Sequence, residues 1–420
     1  MASLDNTRMP SWTPPERPEW VKRTNEEGSY LDLRGVVPLE PGELIDRAIA
    51  NTGLKYFGDE DWREPFEILT RSLDTEANLS LMGRLLGRSD LLMFLEARLR
   101  VEDAYKKHPE IEAQKIDKPL WVLGQGRSGT TLLHTLLAQP PANRTTTDGM
   151  AVFPLPLEGM TPQQQHDLAD KRITQWNRIT PQVVSIHPFG VDKPCETFRV
   201  EAMGFRSPAW LNLLGSTPSY NDYVAKQGGF VKPLEYCKRV LKVFQWADPG
   251  RLWVLRSNHS LLYLPEVLQV FPDARFVWSH RDPVRAMASM VDMIGTMMWI
   301  RSDQRISAAY EFVTNPAITA GMMTQPVDWL ESGAVPKDRM CNILYRDLVR
   351  DSVGTVQKIY QFYDLPFTDE TRNAIAKYVN EHPRGERPAH SYGLGREEQI
   401  RAERQAFKRY QDYFGVPNET

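Results

Sequence analysis

The run from Trp121 to Gln139, "WVLGQGRSGTTLLHTLLAQ", limits the possible folds more than any other stretch of this chain. A short apolar segment enters a glycine-bearing turn, and a helical pattern leaves it. Gly124 and Gly129 stand five positions apart, the spacing of a GxxxxG phosphate loop. Glycines let successive backbone N–H groups turn toward an anion. The helix that follows, "TTLLHTLLAQ", aims its positive N-terminal end at the same point. A nucleotide-hydrolysing loop would place lysine and then serine or threonine after the second glycine. Here Thr130 and Thr131 stand there, and the basic group is Arg127, inside the loop. An arginine at that place can fork onto a 5′-phosphate and onto a group being transferred beside it.

The pattern recurs. After "PLWVLG", short apolar runs come again as "RLWVLRS" near 251–257, "RFVWSHR" near 275–281 and "MCNILYRD" near 340–347, with helical segments between them. Strand–helix alternation predicts the α/β class, a P-loop-like parallel sheet flanked by helices. Residues 1–115 read as an N-terminal arm and helical extension, and 116–420 as the α/β domain. Within the first part, the proline- and charge-rich 1–40 predicts an extended arm. In 41–110, Pro41 marks a helix start, Gly53 a stop, and Leu81, Leu85, Leu92, Leu95 and Leu99 recur at helical spacing. "DSVGTVQKIYQFYDLPF" predicts a helix ending near Asp364, and "REEQIRAERQAFKRYQDYFGV" one more amphipathic helix.

Composition narrows the function. Hydrophobic content of 41% and charged content of 25% are ordinary for a globular chain, and a formal net charge of -3 gives no basic signature for nucleic acid. Cys195, Cys237 and Cys341 form no CxxC pair, which predicts a reduced, cytoplasmic protein. The N-terminus lacks the apolar core of a secretory signal, and no run approaches the ~18 apolar residues of a transmembrane segment. The expected partner is a small molecule; an oligomer is compatible with all of this.

A loop without the lysine suits a nucleotide with a single 5′-phosphate to hold rather than a γ-phosphoryl group and its Mg²⁺. A sulfuryl donor, 3′-phosphoadenosine 5′-phosphosulfate (PAPS), meets that description, and because a sulfuryl group carries less charge than a γ-phosphate, no metal is required. Its 3′-phosphate demands a second anion site. In "FPDARFVWSHRDPVRAMASMV" a strand ends at His280, Arg281 follows, and Ser289 lies eight residues on in the next helix. "GQGRSGTTLLHTLL" together with this segment resembles the PAPS-dependent sulfotransferases, most of all their bacterial branch acting on small, often hydrophobic alcohols and phenols. The resemblance covers roughly 118–415. It implies that Gly126, Arg127, Ser128, Gly129, Thr130 and Thr131 hold the 5′-phosphate, with Arg127 on the leaving group. It puts Arg281 and Ser289 on the 3′-phosphate and Tyr345 near the adenine, with 3′-phosphoadenosine 5′-phosphate (PAP) as product. Two departures stand out. Leu132 occupies the place where cytosolic eukaryotic relatives stack an aromatic on adenine, and "HPRGERPAHSYGLG" carries only Arg384, Arg387 and Tyr392 as equivalents of a C-terminal basic motif.

Transfer to an alcohol needs a base for the hydroxyl proton. "WVLRSNHSLLYLP" resembles the family's strand-end segment with a lysine and a histidine two residues on; here Arg256 and Asn258 fill those places, and His259 comes one later. Glu196, in "FGVDKPCETFRVE", is the other candidate base, with His187 behind both. His134 reads as structural, and His280 as a residue orienting Arg281. For the acceptor pocket, "MASMVDMIGTMMWIR" offers Met290, Met293, Met297 and Met298, and "SPAWLNLLGSTPSYNDY" offers Trp210, Leu211, Tyr220 and Tyr223. Two rival functions remain at this point, a P-loop nucleotide kinase or hydrolase and a nucleotide-binding homologue without catalysis.

Overall fold

In a computed structural model, residues 12–187, 189–303, 314–383, 393–394 and 396–419 are described. Among them, five strands form one all-parallel sheet: β1 (Leu120–Leu123), β2 (Asn143–Arg144), β3 (Leu252–Arg256), β4 (Arg275–His280) and β5 (Met340–Leu344), in the order β2-β3-β1-β4-β5. The four strands read from the sequence are all present. The edge strand β2 was not foreseen, because two residues are too few to show a period.

Alternation along the strands sorts side chains to two buried faces. Trp121, Trp253 and Trp278 point to one face, and Leu120, Val122, Val254 and Val277 to the other. All three tryptophans are at most 1% exposed. Each contributes on the order of 4–6 kcal/mol of apolar burial, taken as an upper bound.

The tryptophan face is covered by one hydrophobic cluster that runs from Val21 to Val416 and takes in the N-terminal helices. These are α1 (Glu19–Gly28), α2 (Pro41–Thr52), α3 (Arg63–Thr75) and the 27-residue α4 (Leu81–Lys107). The expected helix start and stop hold: Pro41 opens α2, and Gly53 closes it in the left-handed conformation at φ 70°. The expected extended arm is not uniformly extended, because Glu19–Gly28 is helical with Val21 and Gly28 buried. The leucine stripe is also less regular than its spacing suggests. Leu95 and Leu99 are fully buried, but Leu85 is 44% exposed.

The opposite face packs against α5 (Thr130–Ala138). Beyond α5, α6 (Val231–Ala247) joins the cluster on the tryptophan face, and α7 (Pro283–Trp299) leaves the end of β4. The extension is tied to α7. Residue 12 stacks there, since a Cβ on Gly295 would meet the Trp12 ring at 2.4 Å, and the Arg17 guanidinium lies 3.8 Å over Trp299. Just past α7, Arg301 is fully buried and pairs with Asp90 of α4 at 2.5 Å. Later come α8 (Pro316–Ser332) and α9 (Ser352–Phe362), the latter ending just short of Asp364 as expected. The C-terminal pattern is two helices rather than one, α10 (Glu397–Ala406) and α11 (Lys408–Phe414), broken where fully buried Phe407 turns into the core.

Candidate active site

Because every strand is parallel, their C-terminal ends open on one side, where open α/β sheets bind ligands. β1 ends at the glycine loop and β3 at Arg256; Arg281 and Tyr345 directly follow β4 and β5, and all of these line a single cavity of about 1200 Å³. That exceeds the roughly 300–1000 Å³ of a pocket for one small ligand. It suits two molecules held end to end.

The loop is shaped by its backbone. Gly124 (φ 152°) allows a close approach: a Cβ there would meet the Ser128 hydroxyl at 2.6 Å and the Ser279 carbonyl at 2.7 Å. Gly129 (φ 87°) begins α5, and a Cβ would strike the Tyr345 ring at 2.5 Å. Between them Arg127 holds a left-handed φ of 74°, a strained setting for a non-glycine residue that recurs at ligand clamps. Ser279 of β4 fastens the loop by donating to the Ser128 carbonyl at 2.7 Å. The Ser128 hydroxyl itself is buried with no hydrogen-bond partner. An orphaned donor in a glycine cradle at a helix N-terminus fits a phosphate oxygen. Gly126 is walled by Met290, whose Cε would lie 2.3 Å from a Cβ there, so the apolar chamber begins at the loop.

Three arginines from three chain segments surround this cradle. Arg127 donates from Nε to the Ser289 hydroxyl at 2.9 Å and from Nη1 to the Ile186 carbonyl at 2.8 Å. The two expected anion subsites therefore touch each other directly. Arg256, 2% exposed, donates to the Thr131 hydroxyl and lies 3.3 Å from Glu196. Arg281 donates to the Arg127 carbonyl at 3.0 Å, sits 4.4 Å over the Tyr345 ring, and forms a forked ion pair with Glu419. Its neighbour Asp282 is not its partner. Asp282 caps α7 through the Val284 N–H at 3.0 Å and pairs with Arg404. Thr130 is buried and lines the same wall.

The candidate bases separate clearly. Glu196, 8% exposed, accepts the Asn258 N–H at 3.0 Å and faces Arg256; its partner is that arginine, not Lys193. His259 lines the cavity between Phe230 and Tyr263, with ring centroids at 4.8 and 5.1 Å. Its Nδ1 has no partner, and burial pushes the imidazole down to about 4, so it is neutral near pH 7. It does not cap the turn at Ser260, whose N–H is taken by the Ser257 hydroxyl at 3.1 Å. His187 also lines the cavity, pushed down to about 3 by burial and then by Arg256 and Arg127. His134 is structural as expected, fully buried against Thr145. His280 does not orient Arg281. Its ring nitrogens go to Tyr410 and Asn342, both at 2.9 Å, and it stacks on Phe414, so it anchors the C-terminal helix.

Of the expected acceptor residues, Met290, Met293, Met297 and Trp210 line the chamber. Met298 and Leu211 are core instead, Tyr220 is buried on the Phe205 carbonyl at 3.0 Å, and Tyr223 reaches out to Glu64. Met287, Met322, Met323, Phe198 and Phe230 complete the apolar wall. Sequence reasoning also missed Asp148 and Arg199, a buried pair at 3.2 Å on the wall. Asp148 follows the two-residue β2 and belongs to no motif. Tyr392, Arg384 and Arg387 lie outside the described residues. Among the described residues, no cluster of histidine, cysteine or carboxylate side chains is placed to hold a metal ion, and no helix is long and apolar enough to cross a membrane.

With this geometry, residues 119–369 match the profile of the sulfotransferase family. The chain belongs to that family. It is 25% identical over 286 residues to omega-hydroxy-beta-dihydromenaquinone-9 sulfotransferase of Mycobacterium bovis, covering 63% of this chain and 68% of that relative. Among solved structures, sulfotransferase STF9 from Mycobacterium avium superposes with a TM-score of 0.74 at 25% identity, covering 90% of this chain and 97% of that one. STF1 from Mycobacterium tuberculosis gives 0.71 at 25% identity over 87% and 97%. This sulfotransferase thus has the P-loop-like parallel sheet that its loop announced, and it is a transferase enzyme.

Proposed function

We propose that this sulfotransferase moves the sulfuryl group of PAPS to the hydroxyl of a hydrophobic acceptor, a lipid alcohol foremost, leaving PAP. The observation that carries this reading is the convergence of Arg127, Arg256 and Arg281 on a glycine cradle that opens directly onto a chamber of methionines and aromatics. The relatives named for a hydroxylated menaquinone support the lipid character of the acceptor. PAPS supplies an activated sulfuryl group whose leaving group is a phosphate.

The residues then take distinct tasks. Loop amides, Ser128, Thr130 and Thr131 hold the 5′-phosphate. Arg127 stabilises charge appearing on the leaving oxygen, and Arg256 neutralises the sulfuryl oxygens. Arg281 and Ser289 hold the 3′-phosphate, with Tyr345 beneath. Glu196 takes the acceptor's hydroxyl proton. Arg256 also lies 3.3 Å from Glu196, so the base and the sulfuryl oxygens face one cation. His259, neutral in its aromatic setting, orients the hydroxyl. No step needs a metal.

Calorimetry in EDTA tests the nucleotide half. PAP should bind and raise the melting temperature, since a ligand that binds only the folded state stabilises it. Strong stabilisation by Mg·ATP with none by PAP would replace this reading with a kinase or hydrolase. Tight PAP binding without transfer to any hydroxyl would leave a binding homologue.

A further inference from the structure

The ion pair between Arg281 and Glu419 plays no part in the reaction described above. Beyond α11, Gly415 turns the chain in the left-handed conformation at φ 63°, and Gln411 fixes the turn through the Val416 N–H at 2.9 Å and the Asn418 side chain at 2.9 Å. Glu419 is thereby delivered to the end of β4. Its N–H donates to Asp282 at 2.8 Å, and its two carboxylate oxygens accept from Arg281 Nε and Nη2, each at 2.9 Å. A forked carboxylate on a guanidinium has the shape and charge of a phosphate there.

We propose that Glu419 is an internal stand-in for the 3′-phosphate, so that the C-terminal segment and the nucleotide compete for Arg281. The inference rests on the assignment of Arg281 to the 3′-phosphate. Binding of a 3′-phosphorylated nucleotide then requires the segment to let go, whereas a nucleotide with a free 3′-hydroxyl leaves the pair in place. The segment lowers affinity for donor and product alike. Its release on nucleotide binding frees a stretch of chain beside the cavity mouth. Arg281 is 17% and Glu419 31% exposed, so solvent screens the pair and the effect is modest.

Calorimetry with PAP and with 5′-AMP, on the full chain, provides the test. Glu419→Ala and Glu419→Gln should each bind PAP about twofold to fivefold more tightly than wild type, with 5′-AMP unchanged. Adding Arg281→Ala should erase that gain. If PAP binds wild type and both Glu419 variants alike while Arg281→Ala weakens it, the competition is overturned and the anion site stands. If Arg281→Ala leaves PAP binding untouched, the site assignment and the competition fall together. Should the variants fold poorly, hydrogen exchange on the wild type decides. The Glu419 amide should lose protection with saturating PAP and keep it with 5′-AMP, and unchanged protection with PAP would overturn the proposal.

Discussion

The two ends of the cavity are built on opposite principles. At the loop end, charged groups are tied in place: Arg127 to Ser289 and Ile186, Arg256 to Thr131 and Glu196, Arg281 to Glu419 and the loop backbone. At the chamber end, the wall is methionine and aromatic. The first end is preorganised for charge that changes place during a reaction. The second is adaptable to an apolar body, since methionine fills irregular space with little strain. Chemistry at the loop end should be sensitive to single substitutions, and recognition at the chamber end tolerant of them.

The largest effect that contrast predicts is at Arg127. Arg127→Ala should lower kcat by roughly 10²–10³, as for one lost preorganised donor, with PAP affinity falling less because the cradle amides and threonines remain. Steady-state rates beside calorimetry check it; equal losses in both would mean that Arg127 only binds. Next, Glu196→Gln should lower kcat by about 10² and leave PAP affinity intact. The loss should be greater for an aliphatic alcohol than for an acidic phenol, which is already partly ionised. A uniform loss across a graded phenol series would recast Glu196 as a group that only holds Arg256, and full activity with a dead His259→Ala would move the base to His259.

How much of this was legible in the sequence follows the same division. The loop could be read because backbone geometry demands glycine at fixed positions, while Arg281 and Ser289 were singled out by resemblance to the family's segment after a strand. The chamber was legible only in part: Met290, Met293, Met297 and Trp210 line it, whereas Met298, Leu211, Tyr220 and Tyr223 do not. Met290 and Met298 share one helical pattern, yet Met290 touches Gly126 and Met298 is core, and only packing against the arm, the short helices at 183–186 and 212–214, and α10 decides which face of α7 is which. Asp148 was invisible because it opens a five-residue helix, Asp148–Val152, that belongs to no motif, and His280 was misread because its partner Tyr410 lies 130 residues away. The Glu419 contact spans 138 residues and has no local signature.

Smaller effects sharpen the contrast further. Arg281→Ala should lose the preference for PAP over 5′-AMP by about 1.5–3 kcal/mol, the worth of a hydrogen bond to a charged group. An unchanged preference would remove Arg281 from the 3′-phosphate. The smallest change is expected in the chamber. Met293→Ala should raise the acceptor's KM by about threefold to tenfold, through lost apolar contact, with donor KM unmoved. A donor effect there would show that the two ends are not separate.

The most direct test follows label from PAPS carrying radioactive sulfur, in EDTA, into a long-chain alcohol. A labelled sulfate ester should form in proportion to PAP released, and Arg127→Ala should all but abolish it. No ester from any alcohol or phenol, with phosphoryl transfer from Mg·ATP instead, would contradict the account at its centre.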